Sequence, residues 1–260
     1  MGTIYAIANQ TGGVGKTTTA VNVAACIAEA GYETLLVDVD PQGNATVGLG
    51  VERTSPGLYE VLTEAVSAAE VVRSTDVGGL SILASTPDLA GATMELPRVA
   101  GSERRLRDVL APVRDLYAFV VLDCPPSLGP LTVNALVAAD RVIVPVQTEY
   151  FALEGLAGLL DTLNLIQREL NPRLTVAGML LTMHDARTKL AQDVEREVRT
   201  HFPELVFETV IPRNVRLGEA PSHGKPIILY DVASRGSQSY LALAREFLAR
   251  SEPDAQKEPA

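Results

Sequence analysis

An apolar run of strand length, Thr3-Ile-Tyr-Ala-Ile-Ala8, leads into a glycine-dense turn, Asn9-Gln-Thr-Gly-Gly-Val-Gly15, and then into a helical pattern from Lys16 to Ala30. No other stretch restricts the fold as tightly. A strand, a loop with unusual backbone freedom and a helix start, in immediate succession, admit few arrangements. The predicted helix carries a buried stripe at Val23, Ile27 and Ala30 and closes on Gly31 as its C′ residue. A second strand, Thr34 to Val39, then enters Asp40-Pro-Gln-Gly-Asn44. Strand, loop, helix and strand in this order form the βαβ unit of a parallel sheet.

The chemistry of Gly12-Gly-Val-Gly-Lys-Thr17 follows from its parts. Glycines let consecutive backbone N–H groups turn inward as an anion nest, and the following helix adds the positive end of its dipole. Lys16 supplies a point charge for β- and γ-phosphates, and the Thr17 hydroxyl is a hard ligand for Mg²⁺. The predicted ATP contacts here are Gly12, Gly13, Val14, Gly15, Lys16, Thr17 and Thr18, with ATP and Mg²⁺ as cofactors. A glycine turn capped by an ordinary helix is the bland alternative.

The alternation continues down the chain. Strands are predicted at Leu80–Leu83, Phe119–Leu122, Arg141–Val146, Val176–Leu181 and Val206–Ile211. Helices are predicted at Glu103–Asp115, Leu131–Ala139, Leu153–Leu170, Leu190–His201 and Gly236–Arg250. Strands this uniformly apolar are buried on both faces. The expected fold is therefore α/β, a doubly wound, mostly parallel sheet with helices on both sides. No linker divides the chain, so residues 1–250 are expected to form one domain, with 251–260 a short polar tail that frays.

Three carboxylates fall at predicted strand ends, where open parallel sheets bind ligands. Asp123 ends the run Phe119–Leu122 and is expected to hold Mg²⁺ through a water. Asp40, just past the second strand, can align an attacking water as the catalytic residue beside Lys16; an acid capping the turn before Pro41 is the alternative. Asp38, two residues earlier, is given a supporting role. Pro125 and Pro126 stiffen the segment after Asp123, a switch that would sense the γ-phosphate.

The net charge of −10 is a weak test for nucleic acid, since local basic patches set the field at a groove. Two cysteines, Cys26 and Cys124, give no disulfide framework. With no basic n-region and apolar h-region at the start, and no run approaching the roughly 20 apolar residues of a membrane span, the chain is expected in the cytoplasm.

Several blocks together resemble the ParA/Soj partitioning group. They are the loop with Gln10 where the common pattern has glycine, its Thr17-Thr-Thr19 continuation, Asp38 to Thr46, Leu122 to Ser127, Pro145 to Gly155, Ile211 to Arg216 and Glu219 to Ile227. The similarity spans roughly residues 1 to 250. It implies an ATP-dependent homodimer acting with a ParB/Spo0J-type centromere-binding protein. It also implies that Pro212, Arg213 and Asn214 surround adenine; a strand-end turn is the bland alternative. Arg187 and Arg216 match positions that contact DNA non-specifically in the ATP-bound dimer, which would place the protein on the nucleoid; two solvated surface arginines are the alternative.

One departure stands out. Thr11 occupies the place of the group's signature lysine, which reaches the partner subunit's phosphates, and the chain has only four lysines, Lys16, Lys189, Lys225 and Lys257. Slow hydrolysis with retained ATP binding is the expectation. The tail lacks the basic, amphipathic character of a MinD-type membrane helix, so no membrane contact is expected. An iron–sulfur cluster shared between subunits, as in nitrogenase iron proteins, needs two cysteines per chain at the interface, and Cys26 reads as a buried apolar residue. Two other functions remain open: a positioning ATPase for a different cargo and an ATP-dependent ligase of the same fold.

Overall fold

The computed structural model describes residues 2–150 and 152–251. Its centre is one sheet of seven strands, β1 (Thr3–Ile7), β2 (Thr34–Asp38), β3 (Arg73–Ser74), β4 (Leu80–Leu83), β5 (Phe119–Asp123), β6 (Arg141–Gln147) and β7 (Thr175–Thr182), in the order β3-β4-β2-β5-β1-β6-β7. Every pairing is parallel except that of β3, a two-residue edge strand antiparallel to β4. The expected doubly wound, mostly parallel α/β fold is what the chain adopts.

Alternate residues of each central strand feed two separate cores. Ile4, Ala6, Leu35, Val37, Val120 and Leu122 enter one, while Tyr5, Ile7, Leu36, Phe119 and Val121 enter the other. Residues pointing to opposite faces are thus all apolar, which is why the strands read as unbroken hydrophobic runs. Helix α1 (Lys16–Glu29) lies over the second face and packs against the helix Arg235–Ser251. It is buried from Thr19 to Ala28, on every side rather than along a stripe. Ala30, read as part of that stripe, instead caps the helix and is exposed.

Most elements lie within a residue or two of their expected bounds. The helix expected from Glu103 begins as a 3₁₀ turn, Ser102–Arg104, and becomes α-helical over Arg105–Arg114. The strand expected at Val206–Ile211 is not a strand. Its two ends do meet β7: the Val206 segment bonds Met179 and the Ile211 amide donates to the Leu181 carbonyl. Between them, the amides of Glu208 and Thr209 donate to the Glu246 carboxylate at 2.8 and 2.9 Å. A side chain has taken the donors that a ladder requires, so pairing stops between the two ends. Of the predicted tail, Ser251 closes the last helix and 252–260 lie outside the described residues.

Candidate functional site

The strand order brings the predicted residues to one edge. The glycine loop leaves β1, and β5 lies between β1 and β2, so Asp123 is level with Ile7 on one side and Asp38 on the other. Gly13 and Gly15 have φ of 78° and 86°, a left-handed conformation that side-chain-bearing residues resist. The loop is tied down at three points. Asn9 Nδ2 donates to the Pro145 carbonyl at 2.6 Å, Asn9 Oδ1 accepts from the Thr11 amide at 2.9 Å, and the Thr182 hydroxyl donates to the Val14 carbonyl at 2.8 Å. Lys16 to Thr18 open α1, so the loop amides and the helix N-terminus share one hollow.

Charge gathers there without full compensation. Lys16 is buried, and its Nζ donates to the Thr11 carbonyl at 2.8 Å. Burial pulls the lysine pKa below its ordinary value, against the opposing fields of Asp123, Cys124 and Asp40. Asp123 is fully buried, and neither carboxylate oxygen has a hydrogen-bond partner. The Thr17 hydroxyl lies close enough to favour its charged form, without completing a bond. Burial first, and the Asp38 charge second, hold its pKa well above the usual carboxylate range. A buried, unpartnered carboxylate beside a hydroxyl and an ammonium is costly unless a ligand completes it.

Asp38 is also fully buried but well satisfied. Its Oδ2 accepts from the amide and hydroxyl of Thr46 at 2.8 and 2.7 Å, and its Oδ1 accepts from the Asp40 amide at 3.3 Å. Burial nonetheless pushes its pKa up to about 6, with Thr46 pulling the other way. Asp38 therefore holds the strand end and the loop beyond it. Asp40 is buried as well, and its Oδ1 accepts from the Gln42 amide at 2.9 Å. Among the described residues no group of three His, Cys, Asp or Glu could hold a metal ion by itself. The unpartnered Asp123 carboxylate and the nearby Thr17 hydroxyl are hard oxygen donors, the kind that Mg²⁺ takes alongside water and phosphate oxygens.

A cavity of about 210 Å³ opens on the far side of the loop. Gly15 and Thr18 form one wall, Met183, Pro212, Arg213 and Asn214 another, and Tyr240 contributes to the lining. Residues from the first and last thirds of the chain thus meet around a space beside the anion nest. Met183 was not anticipated. Its φ of 48° is left-handed, and its Cε comes within 3.9 Å of the Cβ that Gly15 lacks. Thr182 was missed too; a threonine ending an apolar strand beside the site is the signal that could have found it. Asn214 caps the short helix Val215–Glu219 by accepting from the Arg216 amide at 2.9 Å.

The two arginines sit apart from this buried set. Arg187 is 89% exposed and forms a two-pronged ion pair with Asp185, which holds that carboxyl well below its ordinary pKa. Arg216 is 54% exposed and pairs with Glu219 at 2.8 Å and Asp231 at 3.4 Å. Cys26 and Cys124 are both buried, and burial pushes both thiols up, that of Cys26 to about 12. Neither is a ready thiolate. Among the described residues no helix is long and apolar enough to cross a membrane.

A family model described as an AAA domain matches residues 2–176. The sporulation initiation inhibitor protein Soj of Bacillus subtilis is 53% identical over 96% of this chain and 99% of its own length. The chromosome-partitioning ATPase Soj of Thermus thermophilus is 56% identical over 94% of this chain and 95% of its own. Among solved structures, the cobyrinic acid a,c-diamide synthase of Mycobacterium smegmatis with bound ADP and magnesium superposes with a TM-score of 0.83 at 37% identity, covering 95% of this chain and 94% of that one. At this level of identity, across nearly the whole length of each protein, the chain belongs to the Soj/ParA family of chromosome-partitioning ATPases.

Proposed function

We propose that this protein is a MgATP-dependent switch that hydrolyses ATP, dimerises around it and in that state binds DNA without sequence preference, in the service of chromosome or plasmid segregation. The observation that carries the reading is the buried Asp123 carboxylate with neither oxygen paired, beside Thr17 and the Lys16 ammonium. Mg²⁺, when bound, would neutralise charge on the phosphate oxygens and complete Asp123 through water. Thr17 and Asp123 are the residues to hold it.

The chain's own groups do the rest. The amides of Gly12 to Thr18 receive the phosphates. Lys16 exchanges the Thr11 carbonyl for phosphate oxygen, a stronger partner for an ammonium. Asp40 orients the attacking water and accepts its proton, and the space lined by Pro212, Arg213 and Asn214 takes the adenine. Uptake of MgATP by the purified protein, and its loss in Lys16→Ala and Asp123→Asn, is the decisive measurement. Undiminished uptake in both variants would overturn the reading.

Thr11 bears on the rate. Its backbone carbonyl serves Lys16 and its short side chain lies against Gly155, with no positive charge to offer a partner subunit's phosphates. Hydrolysis is therefore slow, and Thr11→Lys raises turnover; an unchanged rate would count against this account. DNA binding rests on Arg187 and Arg216 exchanging Asp185, Glu219 and Asp231 for phosphates, a process weakened by salt. Pairing two subunits doubles these contacts, so ATP gates DNA affinity. A ParB/Spo0J-type protein is the proposed stimulating partner, and the cytoplasm, on the nucleoid, the proposed location.

The likeness to the mycobacterial diamide synthase raises a second reading, an ATP-dependent synthase. The Soj relatives match better, at 53% and 56% identity against 37%. Turnover stimulated by DNA and a centromere-binding partner, with no organic acid substrate present, separates the two. A ParA-like ATPase that positions another cargo would show the same nucleotide chemistry and fail to respond to that partner.

A further inference from the structure

The loop that carries Asp40 is held by more polar contacts than a turn requires. They arrive from three parts of the chain and converge on two consecutive residues. The Asp40 amide donates to Asp38 Oδ1 at 3.3 Å. The Asp40 carbonyl accepts from the Gly43 amide at 2.9 Å and from the Ser85 hydroxyl at 2.8 Å. The next carbonyl, of Pro41, accepts from Arg53 Nη2.

Ser85 joins these contacts into one unit. It lies two residues beyond β4, which pairs with β2 in the register Val37–Leu83, so it stands beside the end of β2. Besides its hydroxyl bond to Asp40, its amide donates to Thr46 Oγ1 at 3.0 Å and its carbonyl accepts from Arg53 Nε at 3.4 Å. Thr46 in turn donates to Asp38. Asp38, Thr46 and Ser85 are all completely buried. The Arg53 side chain lies across the turn at Gly43, where an added Cβ would stand 2.1 Å from its Nε. Gly43 also has a φ of 67°, so a side chain there is excluded twice over.

A buried polar network of this kind gains little stability over an apolar filling of the same volume, but it fixes geometry. What it fixes here is the main chain from which the Asp40 carboxylate projects. We infer that Ser85 and Arg53, with Thr46 between Ser85 and Asp38, are positioning residues that clamp the Asp40 loop and hold its carboxylate where water is activated. The inference rests on the proposed role of Asp40 and assigns to three further residues a share in the rate of hydrolysis, with none in nucleotide binding.

The test uses the full chain. Ser85→Ala removes one hydroxyl and keeps the amide and carbonyl bonds of that residue. Arg53→Met keeps the aliphatic stem of a half-buried side chain and folds even where a change at the buried Ser85 does not. ATP turnover at saturating MgATP is compared with the affinity for a fluorescent ATP analogue, in each variant and again in an Asp40→Ala background. The clamp predicts a turnover about ten- to a hundred-fold slower in the single variants, the scale of a carboxylate displaced by about 1 Å. It also predicts analogue affinity within about two-fold and no further slowing once Asp40 is absent, since groups that act through one another do not add. Turnover equal to the parent's, or the same fractional loss in the Asp40→Ala background, would overturn the clamp while leaving the role of Asp40 intact. Parental turnover in Asp40→Ala itself would overturn both. Thr46→Ser, which retains the hydroxyl, preserves the rate, and Thr46→Val lowers it; the reverse order would also count against the clamp.

Discussion

The carboxyl edge of β5, β1 and β2 and the arginine-bearing surface at Arg187 and Arg216 handle charge in opposite ways. At the edge, Asp38, Asp40, Asp123 and Lys16 are all buried, and the two Asp123 oxygens are left without partners. On the surface, Arg187 and Arg216 are largely in water and already paired with neighbouring acids. Exposed pairs of this sort contribute little to stability and exchange partners readily. The buried set is costly to assemble and cannot relax into solvent. Binding energy is therefore stored in the first region as unmet demand, whereas the second offers charges that a polyanion can recruit at small cost. The proposed function, tight hold of nucleotide and reversible hold of DNA, would draw on both kinds.

The comparison breaks most directly at Asp40. Asp40→Ala is expected to slow turnover by about 10²- to 10⁴-fold, the usual yield of a positioned general base, with ATP binding intact. Single-turnover hydrolysis checks this, and an abolished affinity would mean that the residue supports the fold instead. Lys16→Ala comes next. Losing a hydrogen bond from a charged donor should weaken ATP affinity by about ten- to a hundred-fold, read by titration with a fluorescent analogue.

Asp123→Asn sharpens the contrast between function and stability. A carboxyl whose folded pKa is raised destabilises the fold only when ionised. The penalty is absent below the ordinary carboxylate pKa, grows as pH rises from there, and is complete above the folded pKa. Asp123 is raised well above that ordinary value, and its neighbour Asp38 to about 6. Urea unfolding of the nucleotide-free protein should show the variant's stability advantage over the parent growing as pH rises from 5 to 8, while magnesium-dependent ATP binding is lost. A variant less stable at every pH would mean that Asp123 is already compensated in the free protein.

The smallest effect lies on the surface. Replacing Arg187 and Arg216 together by alanine should leave the urea-unfolding midpoint nearly unchanged. The same change should lower the slope of log K for DNA against log salt by about one for each arginine–phosphate pair removed. An unchanged slope would return both residues to the status of solvated arginines.

Much of the site is legible from the order of residues alone. The glycine loop, Lys16 and Thr17 form a contiguous motif between a strand and a helix, and neighbours along the chain remain neighbours in space. Asp123 is readable because an acid ending an apolar run falls at a strand's carboxyl end. The segment Val206–Ile211 misleads because its β-branched and aromatic residues suit a strand, and nothing local reveals that Glu246, from the last helix, takes two of its amides. Met183 and Ser85 carry no local mark at all. One gains meaning from the cavity it lines and the other from the loop it meets.

By itself, then, the sequence determined the apolar strands β1, β2, β4, β5, β6 and β7 and where the phosphate-binding turn must lie, because apolar runs and glycine act over a few residues. Only the tertiary structure decided that β5 lies between β1 and β2, that Asp38 stands level with Asp123, and that Pro212 to Asn214 face Gly15 across a cavity. Those meetings depend on strand order and register. They are settled by how two cores fill on opposite faces of one sheet, and no window of consecutive residues contains that information.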